Sequence, residues 1–224
     1  EATKSKNDII LKSGNELLAL VENIFDMTLI ESGDMEAYPA EIDLHALIRS
    51  KTEDWREDIE AKNIIYTVHV DPSVPRKLEI DRDRFGQCLK NLLSNAVKFT
   101  MAGRIHVHVT AATDPANAAL TELKVIIADT GMGINDTARA SLFQPFRQAD
   151  YSMTREFGGA GLGLAITQSL ARIMEGDVTV SSREGRGSEF TLTIKGTIPK
   201  AAQQTASAGQ IIRALSVPNS DPAI

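Results

Sequence analysis

GGAGLGLAI, residues Gly158 to Ile166, sets four glycines within six positions and then turns apolar. Glycines ahead of an apolar helix start leave backbone N–H groups aimed at an anion, and the helix dipole adds to the attraction. Neither of the common glycine-loop patterns fits. A P-loop ends in Gly-Lys-Ser/Thr, and the chain has no such triplet. The dinucleotide pattern G-x-G-x-x-G fails at Leu164 when counted from Gly159 and Gly161, and at Asp136 from Gly131 and Gly133. The preceding run, RQADYSMTREFGG, is polar and carries Arg147 and Arg155. It suits a lid that closes over phosphates, and a plain surface loop has the same composition. Leu142, Phe143 and Phe146 would anchor that lid to the core.

Three further stretches bear on the same chemistry. NLLSNAVKFT (Asn91 to Thr100) puts Asn91, Asn95 and Lys98 on one helix face, at spacings of four and three. An amide oxygen suits Mg²⁺, which takes hard oxygen ligands and keeps several waters. Lys98 adds a point charge and Phe99 a flat apolar surface for a base. A solvent-facing polar stripe has the same pattern. DTGMGI (Asp129 to Ile134) follows the hydrophobic run KVIIAD. A carboxylate at a strand end can accept from an exocyclic amine while two glycines let the backbone approach, although a tight turn also uses Asp and Gly. GRGSEF (Gly185 to Phe190) is the last glycine pair.

The rest of the chain alternates between periods. Ile10, Leu17 and Ile24 recur every seven residues, and Leu11, Leu18 and Phe25 widen the stripe beyond what one helix hides, so residues 8–31 predict a helix that seeks another helix. Ser32 and Gly33 end it. Asp43 caps a second predicted helix reaching about Ala61, and Asp81 caps a third carrying Phe85, Leu89, Leu92, Leu93 and Val97. Strands are predicted at 64–70, 78–80, 104–111, 120–128, 177–182 and 188–194, with a loop at 112–118 and a further helix from about Leu162. Strands outnumber helices and the late ones join by turns. The pattern predicts a two-layer α/β sandwich, a mixed sheet covered by helices on one face, preceded by the long helix. After Gly196 the composition shifts to Ala, Gln, Ser and Thr, as in a flexible tail or linker.

Taken in this order, the boxes resemble the ATP-binding catalytic domain of a two-component sensor histidine kinase. They are Asn91, Asn95 and Lys98; Asp129, Gly131, Gly133 and Ile134; Phe143 and Phe146; Gly159, Gly161, Leu162 and Gly163; then Gly185 and Gly187. The resemblance covers roughly 8–196 and implies the sandwich shared with gyrase, mismatch-repair and heat-shock chaperone ATPases. It implies ATP and Mg²⁺ as cofactors, Asn95 as the metal ligand supported by Asn91, and Lys98 meeting the phosphates. Asp129 would read the adenine amine, Phe99 and Phe146 would line the nucleotide site, and Asn91, Lys98, Arg147 and Arg155 would form the catalytic set. FDMTLIESG resembles the end of a dimerisation and phosphotransfer hairpin, which implies domains at 1–34, 35–196 and 197–224. Implied partners are a response-regulator receiver domain and a second copy bound through the N-terminal helix. Hydrolysing members of the superfamily usually carry Glu where Asn91 stands, and an amide cannot take a proton from water.

Two departures stand out. Ala160 replaces the family's common Thr, removing one neutral hydrogen bond worth about 1 kcal/mol. The four histidines, His45, His69, His106 and His108, all lack the family's histidine box. His106 and His108 share one strand face, an incomplete metal pair or simply an exposed strand. The expected function is therefore transfer of the ATP γ-phosphoryl to a histidine outside this chain. A regulatory nucleotide-binding module without transfer is the alternative, and a hydrolytic ATPase is disfavoured by Asn91. The net charge of −6 argues against nucleic acid or an anionic membrane surface as partner. The single cysteine, Cys88, and the absence of an apolar run of about 20 residues suit a cytoplasmic chain without direct membrane contact, though a parent protein could be anchored.

Overall fold

The computed structural model describes residues 2–147 and 161–200. Helix α1 spans Ala2–Ser32 and stops at Gly33, whose φ of +76° lets the Asp34 and Met35 amides turn back onto the Leu29 carbonyl, each at 3.1 Å. After strand β1 (Ala40–Asp43), the Asp43 side chain caps α2 (Leu44–Glu53) by accepting from the Ala46 amide at 2.9 Å. The single helix expected here is two, because α3 starts anew at Arg56–Ala61. At the break, the Thr52 hydroxyl bonds back to the Ile48 and Arg49 carbonyls at 2.9 and 3.1 Å, which bends a helix.

Strands β2 (Ile65–Val70) and β3 (Lys77–Ile80) lead into α4 (Arg82–Phe99). Asp81 caps α4 through the Asp83 and Arg84 amides, both at 3.0 Å. β4 (Arg104–Asp114) and β5 (Asn117–Asp129) then form a long hairpin. The expected 112–118 loop shrinks to a turn at Pro115 and Ala116. A cross-strand partner satisfies the polar backbone there, so pairing overrides the loop-like composition. A short helix, α5 (Asp136–Ala140), capped by Asn135 at 2.8 Å, was not expected. Helix α6 (Gly163–Ile173) and strands β6 (Asp177–Arg183) and β7 (Gly187–Thr197) complete the described elements.

The strands form one sheet in the order β1-β3-β7-β5-β4-β2, with β6 also beside β7. β2 and β4 run parallel; all other pairs are antiparallel. The two-layer sandwich follows from alternation along the long strands. Ile105, Val107 and Val109, Leu123, Val125 and Ile127, and Phe190, Leu192 and Ile194 all face inward. Helices α2, α4 and α6 cover that face with Leu44, Ile48, Leu89, Leu92, Leu93, Ile166 and Leu170, all essentially inaccessible to solvent. Among the described residues the opposite sheet face has no such cover.

The end of α1 docks on this body through Met27, Leu29 and Ile30, and Asp26 bonds to α4. Further up α1, Leu11, Leu17, Leu18, Val21, Ile24 and Phe25 stay exposed. Burying six such side chains is worth on the order of 10 kcal/mol. No helix among the described residues is long and apolar enough to cross a membrane.

Candidate functional site

The sandwich gathers the separated boxes at one end of the sheet, on its helix-covered side. Asn91 and Asn95 occupy successive turns of α4, both half-buried. The Asn91 Nδ2 donates to the Gly163 carbonyl at 3.3 Å and to the Thr167 hydroxyl at 3.2 Å, which ties α4 to the first turn of α6. Thr167 in turn donates to the Gly163 carbonyl at 2.7 Å. At its other end, α4 meets the Asp129 loop, where the Met132 amide donates to the Phe99 carbonyl at 3.3 Å. A Cβ on Gly131 would lie 2.3 Å from that carbonyl oxygen, so only glycine fits there.

The last glycine pair closes the circuit. Asp129 pairs with Ser188 across β5 and β7, and a Cβ on Gly187 would lie 2.0 Å from the Asp129 carbonyl oxygen. Ser182 Oγ accepts from the Ile134 amide and donates to the Gly187 carbonyl, both at 2.8 Å. Gly133 sits at φ +70° with its missing Cβ 2.1 Å from the Arg183 carbonyl oxygen. Close approach of the chain to itself therefore accounts for Gly131, Gly133 and Gly187 before any ligand is considered.

Burial tunes two charges. Desolvation raises the Asp129 carboxyl above its usual range, although the Gly131 amide (2.8 Å from Oδ1) and the Ser188 amide pull the other way. Desolvation likewise lowers Lys98, whose Nζ lies 5.0 Å from the Phe99 ring centre. A half-buried cation near the end of α4 and a half-buried carboxyl at the end of β5 suit a ligand with an anionic end and an amine end. A cavity of about 240 Å³ is lined by Lys98, Phe99, Met101, Ala102, Thr130, Gly131 and Met132. It is smaller than the roughly 300–1,000 Å³ of a small-molecule site. It shares Lys98, Phe99 and Gly131 with the candidate set but leaves out Asn91, Asn95 and Asp129.

The remaining candidates divide. Leu142 and Phe143 pack against the core as expected, whereas Phe146, 68% exposed at φ +61°, does not pack into the core among the described residues. Pro145 before it and the bond from its own amide to the Gly161 carbonyl, 3.1 Å, turn the chain so that the ring faces outward. Leu162 is fully buried, so only its backbone is on offer to a ligand. Arg147 is exposed at the edge of the described residues; Arg155, Gly159 and Ala160 lie outside them. The sequence reading missed Thr167 and Ser182. Their one signal was a hydroxyl at an inward-facing position, Thr167 four residues after Gly163.

Comparison with known proteins agrees with this geometry. Residues 80–198 match the family "Histidine kinase-, DNA gyrase B-, and HSP90-like ATPase". The autoinducer 2 sensor kinase/phosphatase LuxQ of Vibrio vulnificus is 35% identical over 187 residues, covering 84% of this chain and 22% of the relative. The sensor histidine kinase RcsC of Escherichia coli is 36% identical over 182 residues, covering 81% and 18%. The chain thus spans about a fifth of the length of these relatives. Among solved structures, full-length ShkA in complex with AMPPNP superposes with a TM-score of 0.72 at 30% identity, covering 88% of this chain and 40% of that one. The Acinetobacter baumannii histidine kinase AdeS shares the fold at a TM-score of 0.63 and 21% identity, over 84% of this chain and 82% of that one. With the boxes assembled around α4 and α6, the chain belongs to the histidine kinase-, DNA gyrase B- and HSP90-like ATPase family, and these sequence relatives within it are sensor kinases.

Proposed function

We propose that this chain binds ATP with Mg²⁺ and passes the γ-phosphoryl to a histidine outside residues 1–224, for onward transfer to a response-regulator receiver domain. The observation that carries the reading is Asn91. Its amide nitrogen is used as a donor to Gly163 and Thr167, and an amide in that place has no basicity with which to activate a water. Transfer to a protein nucleophile asks mainly for positioning and charge neutralisation.

The residues present fit the cofactors. Asn95 offers a neutral oxygen one turn along α4 from Asn91, and Lys98 a cation whose desolvation an anion would relieve. Mg²⁺, when bound, neutralises phosphate oxygens. Asp129 accepts the adenine amine, Phe99 lies beside Lys98, and the backbone at Gly161 and Gly163 opens α6 toward phosphate. Arg147 and Arg155 complete the charge on the lid side. None of the chain's histidines suits the acceptor role: His45 Nε2 pairs with the Val74 carbonyl at 3.0 Å, and the other three sit on the uncovered sheet face. The exposed stripe on α1 supports pairing with a second copy, with residues 1–34 as the C-terminal helix of a dimerisation and phosphotransfer hairpin.

The test is to mix the chain with Mg-ATP and a separately supplied hairpin carrying a histidine box. Acid-labile, base-stable label on the hairpin is expected. Phosphate release without label would replace transfer by hydrolysis, and nucleotide binding with neither would leave a regulatory module.

A further inference from the structure

We propose that the uncovered face of the β2–β4 pair holds one borderline divalent transition ion, of the Zn²⁺ type, ligated by His69, Asp71 and His108. This site is separate from the nucleotide site. Asp129 pairs with Ile105 on the helix-covered side, whereas His108 lies three positions further along β4 and faces the other way.

The parallel register brings the ligands together. His69 and His108 are direct cross-strand partners, with ring centres 5.1 Å apart. Asp71 follows His69 by two residues on the same face, and its amide extends the ladder to the Val109 carbonyl at 2.9 Å. Its Oδ1 accepts from the Ser73 amide at 2.8 Å, and Ser73 Oγ accepts from the Ala111 amide at 3.2 Å, so the turn bearing the carboxylate is tied to β4. One ligand atom from each of the three residues lies within 4.8 Å of the others. A tetrahedral ion with bonds of about 2.0–2.1 Å wants ligand atoms about 3.4 Å apart. The His69 side chain is exposed, which leaves its ring room to turn toward that spacing.

Composition on this face is selective. Three of the chain's four histidines fall on it, and His106 stands beside His108 with ring centres 6.0 Å apart. His106 Nδ1 pairs with the Thr67 hydroxyl at 2.7 Å, and His106 lies outside the cluster of His69, Asp71 and His108. Two imidazoles and one carboxylate favour Zn²⁺, Cu²⁺ or Ni²⁺ over Mg²⁺ or Ca²⁺, which take oxygen sets. Water fills the open positions. Since β2 is the sheet edge, the ion would clip that edge to β4 and stabilise the fold by binding linkage.

The probe is Zn²⁺ alone, titrated calorimetrically into the chelator-treated, nucleotide-free full chain. One equivalent should bind, with His69 and His108 imidazole resonances shifting and those of His45 unmoved. His69→Ala and His108→Ala should each weaken binding at least about tenfold, and Asp71→Asn, which keeps the bond from Ser73, should weaken it less. His45→Ala should bind as the parent does. Absence of binding, or equal binding by the His69→Ala/His108→Ala double variant, overturns the site. His69 is exposed and Asp71, His108 and His45 are only partly buried, so circular dichroism of each variant separates lost ligation from lost fold.

Discussion

Asn91 and Thr167 meet across the α4–α6 interface, the amide nitrogen donating to the hydroxyl at 3.2 Å while that hydroxyl donates to the Gly163 carbonyl at 2.7 Å. The pair sets the direction in which the Asn91 oxygen points, and it fastens the first turn of the helix that follows the glycine cluster. Thr167→Val keeps the shape and removes both bonds. A loss of about 1–2 kcal/mol is expected in urea denaturation. Asn91→Asp replaces a donor with an acceptor-only group facing the Gly163 carbonyl, and should cost about 1–3 kcal/mol. Wild-type stability in both variants would show that this junction holds nothing together.

Asp129 carries a pH signature whose sign is fixed by burial. Its folded-state pKa lies above the ordinary carboxylate value, so the folded chain binds that proton more tightly than the unfolded chain. Its contribution to stability therefore falls as pH rises from the ordinary carboxylate range through the raised value, and is level above that. Asp129→Asn retains an oxygen for the Gly131 amide and removes the desolvated charge. That part of the pH slope should vanish with the fold intact, while adenine-nucleotide affinity drops about tenfold or more, the size of one charged hydrogen bond. Urea midpoints across pH, paired with nucleotide titration, check both halves.

The glycine boxes show where sequence reading succeeds and where it stops. Local rules located the caps at Asp43 and Asp81, the stop at Gly33 and the inward face of α4, because each depends on a few neighbouring residues. The α2–α3 break and the extension of β4 and β5 through 112–118 depend on back-bonding and cross-strand pairing, which composition does not display. The site residues were named from motif spacing together with the family resemblance those motifs carry. What spacing concealed was that Gly131, Gly133 and Gly187 answer first to other backbone segments, and that Thr167 and Ser182 hold the boxes in place. The cluster of His69, Asp71 and His108 was equally invisible, since it needs the parallel register of two strands far apart in the chain.

Two neighbouring glycines should therefore differ in tolerance. At Gly187, φ is +96° and an added Cβ would meet the Asp129 carbonyl oxygen at 2.0 Å, so backbone must shift. Gly187→Ala should cost more than about 3 kcal/mol or abolish soluble expression. At Gly185, φ is +72° but no atom lies within 4 Å of the added Cβ. Gly185→Ala should cost only about 1–2 kcal/mol, the left-handed backbone penalty. Denaturation of both variants ranks them, and the reverse order would refute the account of the last glycine pair.

Asp26 is the polar link between the long helix and the body. Only 8% exposed, it accepts from Gln87 Nε2 at 2.6 Å and from Arg84 Nη1 at 3.3 Å, both on the first two turns of α4. Asp26→Ala leaves the Arg84 guanidinium without this carboxylate and should loosen the docked end of α1 by about 1–3 kcal/mol. Hydrogen exchange is expected to rise across residues 26–32 and at the start of α4, with the sheet unchanged. Coupling between Asp26→Ala and Gln87→Ala should reach about 0.5–3 kcal/mol in a double-mutant cycle. Because Asn95, Lys98 and Asp129 lie at the far end of α4 or beyond it, nucleotide affinity should stay at its parent value. If transfer to a supplied hairpin changes while affinity does not, the position of α1 is coupled to delivery of the phosphoryl group. If both stay constant and exchange in 26–32 is unmoved, the docking of α1 rests on Met27, Leu29 and Ile30 and not on this polar link.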